Sequence, residues 1–328
     1  MKEYLVITDY ISNGKNIDVS DDIQRVIDEN PNRVIFFPDG EYTLSKPILT
    51  SSHPKNSVCL LLSAYAKIRP SKSWNSDEAL IRLGAKDNAN IIDEAGSNYY
   101  LDGGIIDGEG IANGISIDGG RETVIKNCSI KNTPIGITIK HGANNGSSDA
   151  DITGVNIVGT SKSGCTGVLV NGWDNTFTNM RIGRVQIGFM INTSGNIFRN
   201  IHPLLYGSKE ENFYKNSRAF CDMGGSNFYD NCYSDQFYYG FEIGENQCNL
   251  YSNCFCFWYS PADGFYGGIK ANGKFNSIIN GLRFSFGDPA TEMSVLTVDE
   301  NGGDGKLENL LIAQEDKITD KTYLTYKK

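Results

Sequence analysis

The chain has 328 residues, a formal net charge of −9, 39% apolar residues and 21% charged residues. That balance supports a substantial core and excludes a disordered chain, and the negative charge opposes any sequence-independent grip on nucleic acid or an anionic membrane. Thirty-six glycines scattered among short apolar runs point to a turn-rich β protein rather than a helical one.

The N-terminal stretch MKEYLVITDYISNG reads as a strand followed by a turn, without the apolar core of a signal peptide or the length of a membrane span. The expectation is synthesis in a reducing cytoplasm, with the eight cysteines as free thiols and the protein working there or on a phage particle after lysis. DVSDDIQRVIDEN follows, with carboxylates at its start and Ile23, Val26 and Ile27 on one face, so it predicts a short amphipathic helix. PNRVIFFPDGEYTLSKPI then leads into strands, and residues 1–50 together read as a cap that protects an exposed end.

From about residue 95 to 314 one unit recurs: an apolar residue, any residue, Asn or Gly, then a small or apolar residue. Its third position falls at Gly103, Asn127, Gly154, Asn179, Asn200, Asn231, Asn253, Asn280 and Asn309, at spacings of 21 to 31 residues. A second column trails it at Gly114, Gly136, Gly167, Gly188, Ala219, Gly240 and Gly268, most of them opening a short apolar/polar alternation such as GISI or GFMI. Short strands at this period, with no helices between them, predict one solenoid coil per repeat. The asparagines are expected to stack coil on coil, amide to amide. The fold class is therefore all-β: a single-stranded parallel β-helix, taken as right-handed because that is the commoner case, over residues 1–328 as one domain, with EDKITDKTYLTYKK (315–328) as a polar strand, tail or cap at the far end.

DYISNG, DDIQRVID, VIFFPDGEYTLSKPI and LDGGIIDGEG resemble the N-terminal signature of the pectate-lyase-like superfamily of β-helix proteins, and IHPLLYG with GGSNFYDNCYSDQFYYGFEIG looks like a tailspike-type segment. That superfamily includes polysaccharide lyases, polygalacturonase-like glycoside hydrolases, fructan transferases and phage tailspike depolymerases. The resemblance implies a carbohydrate partner, and homotrimers are common in the superfamily. It carries over no catalytic motif, because the paired aspartates of the polygalacturonase-like members are not evident here.

The repeat register predicts which residues face out. One position before the Asn column stand Arg199 and Asp230, about 5 Å apart on adjacent coils. An outward Asp beside an Arg is more often a surface ion pair than a catalytic pair. Two positions after the column, Arg181, His202, Tyr233 and Phe255 form a stripe, with Asp235 just beyond. In the Gly column the outward positions bring Glu242 beside Lys270, which supplies a structural partner for that carboxylate. Asp222 falls at an inward position beside Ile191 and Ile243. The expectation is a slip in register at AFCDMGG; the alternative is a buried carboxylate with a raised pKa.

Asp230, Asp235, Glu242, His202 and Asp222 are thus the candidate catalytic residues, and Arg181, Arg199, Tyr233, Tyr238, Trp258 and Lys270 the candidate substrate-binding residues. Two carboxylates flanking a glycosidic bond can act as acid and base or nucleophile. The expected function is a glycoside hydrolase or intramolecular glycosyl transferase. A non-catalytic saccharide-binding or tailspike-like protein is the alternative, and a Ca-dependent polysaccharide lyase the second. No cofactor is expected: His53, His141 and His202 lie far apart in the repeat scheme, and the cysteines lack zinc-site spacing, so calcium held by outward carboxylates is the one metal reading left open. Cys128, Cys232 and Cys254 occupy a place held by Val155, Met180 and Ile201 in other coils, and so read as core residues.

Overall fold

The computed structural model describes residues 4–51, 56–85, 99–140, 148–208, 210, 212–260 and 264–328, packed as two compact units. The first comprises Met1–Thr160 and Val168–Asn175, the second Ser161–Gly167 and Thr176–Lys328.

In the first unit the helix Ser20–Glu29 forms where the sequence predicts it, with Ile23, Val26 and Ile27 buried. The carboxylate of Asp18 sits before it and accepts hydrogen bonds from the backbone and hydroxyl of both Ser20 and Ser45. Burial opposes the charge there, but those four donors outweigh it and pull the pKa down to about 2. Parallel strands follow on two faces of this unit. One runs through Val34–Phe37, Cys59–Pro70, Tyr100–Asp107 and Ser129–Thr133. The other runs through Ile48–Ser51, Ala79–Ala85, Asn113–Ile117 and Ile135–Ile139.

The second unit repeats the scheme. Its first sheet stacks Thr176–Gly183, Ile197–Leu204, the split strands Phe228–Asp230 and Tyr233–Asp235, then Leu250–Ser252 with Phe255–Trp258, Ile278–Asn280 with Arg283–Phe286, and Lys306–Glu308 with Leu311–Ile312. Its second sheet stacks Ile187–Ile191, Arg218–Asp222, Tyr239–Ile243, Phe265–Ala271 and Glu292–Val298. Every pairing is parallel and in register, so identical inward positions meet coil on coil. Phe177, Phe198, Tyr229 and Tyr251 stack face to face with centroids 5.1, 4.8 and 4.6 Å apart. Phe189, Phe220 and Phe241 form a second stack from the opposite sheet, at 5.6 and 4.9 Å. Each stacked pair adds about 0.5–1.5 kcal/mol beyond the area it buries.

The recurring Asn column has a different main cause from the one expected. Asn127, Asn179, Asn200, Asn231, Asn253 and Asn309 all adopt left-handed backbone with φ of 52–55°. Asn tolerates that conformation because its short amide bonds locally, and Gly103 and Gly154 substitute freely. Amide-to-amide hydrogen bonds of 2.7 Å join Asn200 to Asn179 and Asn309 to Asn280. The register also corrects one member: Ile279, not Ile278, aligns with Tyr251, so Gly281 (φ 82°), not Asn280, holds the left-handed place.

A second asparagine ladder, unread in the sequence, lies in the core. The backbone N–H of Asn196 donates to the Asn227 side chain, that of Asn227 to Asn249 and that of Asn249 to Ser277 Oγ, at 2.8, 2.9 and 2.9 Å. All four residues are buried, and each amide satisfies a turn N–H that would otherwise be orphaned.

The small-residue column is explained by crowding. A Cβ on Gly188 would stand 2.4 Å from the Ala219 carbonyl oxygen. The C-terminal segment is a turn-rich cap rather than a strand: the short 3₁₀ turns Glu315–Lys317 and Thr322–Thr325 bury Tyr323, and Leu307 N–H donates to Tyr326 O.

Candidate functional site

The outer face of the first sheet in the second unit carries the stripe that the register predicts, and one residue more. Arg181 pairs with His202, Tyr233 with Phe255, and Phe255 with Arg283. The His202 imidazole stacks on the Tyr233 ring at 4.1 Å, Tyr233 stacks on Phe255 at 4.6 Å, and the Arg283 guanidinium covers the far face of Phe255 at 4.8 Å. Since the rings stack on one another, they present edges and polar tips outward rather than faces.

Asp235 closes this group. Its Oδ2 accepts a hydrogen bond from the Tyr233 hydroxyl at 3.3 Å and stands 3.6 Å from His202 Nε2. The side chains of His202 and Asp235 are only 24% and 15% exposed, and His202 Nε2 is buried with no hydrogen-bond partner among the described residues. A buried polar atom without a partner is uncommon and calls for a ligand, a proton or a small closure. Burial, reinforced by the neighbouring Asp235 charge, pushes the Tyr233 phenol well above its ordinary range, so it serves as a donor.

A second polar group occupies the outer face of the second sheet. Glu242 pairs in register with Lys270 as expected, but its partner is Arg218, which contacts Oε2, while Asn272 donates to Oε1 at 2.9 Å. The Lys270 ammonium reaches Asp299 instead, at 3.8 Å. Burial acts to raise the Glu242 pKa, but the Arg218 charge and the Asn272 hydrogen bond outweigh it and hold the carboxyl below its usual value. Aromatic rings pack around the pair. Arg218 lies over Tyr239 at 4.9 Å, Tyr238 stacks on Phe265 at 4.4 Å, and Tyr214 donates to the Phe265 carbonyl at 2.6 Å. Arg218 was missed because it meets Glu242 along a diagonal, opposite Tyr239 rather than Glu242 in the ladder.

The remaining candidates divide. Asp230 and Arg199 form an exposed ion pair at 3.4 Å. Asp230 and Asp235 lie on the first sheet and Glu242 on the second, so the three carboxylates do not share one sheet face.

Two expectations are corrected. Trp258 points inward: the outward places on its strand are Phe255 and Phe257, and alternation turns the next residue into the core. There Trp258 is fully buried, donates from Nε1 to Phe237 O at 2.7 Å and stacks on Tyr266. It touches nothing outside.

Asp222 does not mark a slip. It pairs in register with Ile191 and Ile243 and is fully buried. Its carboxylate accepts from Gly224 N–H, Gly225 N–H, Asn227 Nδ2 and the Tyr229 hydroxyl. Desolvation outweighs those bonds and raises its pKa. It belongs to the core, out of reach of a ligand on the outer surface.

His53 and His141 lie outside the described residues. Among the described residues no group of three or more His, Cys, Asp or Glu side chains could hold a metal ion. The outward acidic candidates Asp230, Asp235 and Glu242 face Arg199, His202 and Arg218 rather than one another, a donor set that does not fit calcium. Cys128, Cys232 and Cys254 are free and buried at core positions. No helix among the described residues is long and apolar enough to cross a membrane.

Against solved structures the chain aligns over nearly its whole length. It matches the tailspike protein of E. coli bacteriophage HK620 in complex with pentasaccharide, with a TM-score of 0.71 at 13% identity, covering 95% of this chain and 63% of that one. The fold is the right-handed parallel β-helix. A tailspike variant in complex with hexasaccharide gives a TM-score of 0.65 at 12% identity, covering 96% of this chain and 66% of that one. This β-helix therefore spans less than two thirds of the tailspike chains that it matches. Neither a protein-family model nor a curated protein matches the sequence.

Proposed function

We propose that this β-helix recognises an oligo- or polysaccharide on the outer face of its second unit, as a phage-associated protein that works as a homotrimer. The observation that carries the reading is the stripe Arg181, His202, Tyr233, Asp235, Phe255 and Arg283. It sets donors, acceptors and ring edges at the regular strand spacing of about 4.8 Å, along the line a saccharide chain would follow. The tailspike neighbours in complex with penta- and hexasaccharide support it.

A panel of capsular and lipopolysaccharide glycans on an array, followed by calorimetry on the hits, tests this. Binding that weakens 10-fold or more in Arg283→Ala or Tyr233→Ala is the expected result; no binding to any glycan would overturn it.

Cleavage is the second reading, favoured by one observation: the half-buried Asp235 poised against an unsatisfied imidazole nitrogen. At 3.6 Å the two groups are too close to straddle a bond, so they act as one proton-transfer unit. In hydrolysis Asp235, oriented by Tyr233 and His202, takes the proton from water as its oxygen bonds to the anomeric carbon. The departing sugar oxygen takes its proton from a second solvent water, and protonated Asp235 gives its proton to the hydroxide left behind, so one water is consumed overall. Such a unit contributes about 10²–10⁴-fold. Asp235→Asn should therefore lower the rate of reducing-end release by that factor while glycan binding holds within about 3-fold. Unsaturated products would identify a lyase, and binding without any turnover would leave recognition alone.

A further inference from the structure

We infer that the saccharide on the stripe is sparsely acidic: it sets one carboxylate or phosphate group against Arg181 and another against Arg283, with neutral sugars over Asp235 between them. This ligand class rests on the saccharide reading of the same face and narrows it. Six of the chain's ten arginines pair with a carboxylate: Arg25, Arg69, Arg82, Arg121, Arg199 and Arg218. In a chain of net charge −9 that is the expected fate of a guanidinium. Among the described residues the other four find none. Arg184 donates to Ser161 Oγ at 2.8 Å, and Arg33 stands in the first unit. The remaining two are the ends of the stripe.

Both ends are exposed and equipped for an anion. Arg181 makes one bond, to the neighbouring Met180 carbonyl at 3.3 Å. Arg283 lies over the Phe255 ring, a contact made by the face of the guanidinium, which leaves the N–H fork at its edge free. That fork matches two oxygens of a carboxylate or phosphate. The third charge of the stripe is Asp235, so the stripe carries a surplus of one positive charge on an acidic chain.

Spacing decides how dense the acidic groups are. Arg181, His202, Tyr233, Phe255 and Arg283 follow one another on successive coils. Four strand steps of about 4.8 Å therefore put the strands of the two arginines ~19 Å apart. Asp235 falls on the middle coil, its row running Gly183, Leu204, Asp235, Phe257 and Ser285. It stands two steps, about 10 Å, from the coil of either arginine, farther than the Debye length at physiological salt. An anionic group at either end thus meets a guanidinium in contact and the aspartate only through screening solvent. One placed at the middle would face Asp235 directly. A polymer charged at every unit, such as a polyuronate or a nucleic acid, is repelled there, and the negative charge of the whole chain adds to the repulsion.

Calorimetry on the full chain tests this with each glycan that the array retains, its carboxyl-reduced form and its form dephosphorylated with hydrofluoric acid. The retained glycans should carry an acidic group, and removing it should weaken binding roughly 10-fold, the usual worth of a hydrogen bond to a charged group. The two treatments tell a carboxylate from a phosphate. Arg181→Gln and Arg283→Gln should each cost about 10-fold with the native glycan and less than about 3-fold with the neutralised one, a coupling that a double-mutant cycle reads directly. Arg33→Gln removes the same charge elsewhere and should leave the affinity unchanged. All three positions are exposed, and far-UV circular dichroism checks that the variants fold. Neutral glycans among the tightest binders, or acidic ones that keep their affinity after neutralisation, would sink the inference and leave saccharide recognition standing. Alginate, acidic at every sugar, binding as tightly as the retained glycans would overturn the spacing and the inference with it. An array that retains nothing removes saccharide recognition itself, and this ligand class falls too.

Discussion

Asp222→Ala should destabilise the second unit by about 3–5 kcal/mol, the largest effect expected of any single substitution outside the aromatic stacks. The change empties a site in the core and strands four donors together: two backbone N–H groups, the Asn227 amide and the Tyr229 hydroxyl. Asp222→Asn keeps the shape and one acceptor oxygen but turns an N–H toward the Asn227 amide, and should cost about 1–2 kcal/mol. The pH dependence fixes the cause. Burial first of all raises the folded pKa of Asp222 above 3.8, so the fold holds this proton more tightly than the unfolded chain does. Its stabilisation is complete below 3.8 and is lost as pH rises through the folded value. The margin of the natural protein over Asp222→Asn should therefore shrink from acid toward neutral pH, as read by urea midpoints at constant m-value. An alanine variant within about 1 kcal/mol of the natural protein, or a margin that grows with pH, would refute this account.

That network shows where the sequence stops being legible. Period and parity were readable, because every coil repeats one strand pattern and parallel pairing keeps like positions together; hence the outward places of Arg181, His202, Tyr233 and Phe255 and the core places of Cys232 and Cys254. What failed was local. Two adjacent isoleucines, Ile278 and Ile279, stand before Asn280 and Gly281, and reading the first of them as the inward one set the column one place early. Trp258 was placed by its neighbours' chemistry instead of its parity. A carboxylate at an inward position looked like a slip because its four donors come from a turn, a ladder amide and a tyrosine that a linear pattern does not bring together. Arg218 and Glu242 meet diagonally between coils, and ladder reading registers only direct neighbours. The Asn196–Asn227–Asn249 ladder was legible in principle: each member precedes the exposed strand-start residue at the coil period. The more frequent left-handed column masked it.

Arg218→Ala should cost about 1–3 kcal/mol at neutral pH, less than the 3–5 kcal/mol of a fully buried pair, because Arg218 and Glu242 keep 16% and 13% of their side-chain surface in water. The loss has two parts: Glu242 remains charged and half-satisfied by Asn272, and the rings of Tyr238 and Tyr239 lose the guanidinium that lies over them. Adding Glu242→Gln to Arg218→Ala should restore the first part and not the second, and a double-mutant cycle separates them. The pH dependence runs opposite to that of Asp222. Although burial works against the charged form, Arg218 and Asn272 bring the folded pKa of Glu242 below 4.5. Its contribution is complete above 4.5 and is lost as pH falls through the folded value. Arg218→Ala should thus cost most at neutral pH and progressively less in acid, while the Asp222→Asn penalty grows over the same descent. Two carboxylates one strand apart in the same sheet would then titrate stability in opposite directions, one facing the core and the other facing out. If both penalties moved the same way with pH, the assignment of Glu242 to an ion pair would fall, since a merely packed glutamate would follow the buried aspartate.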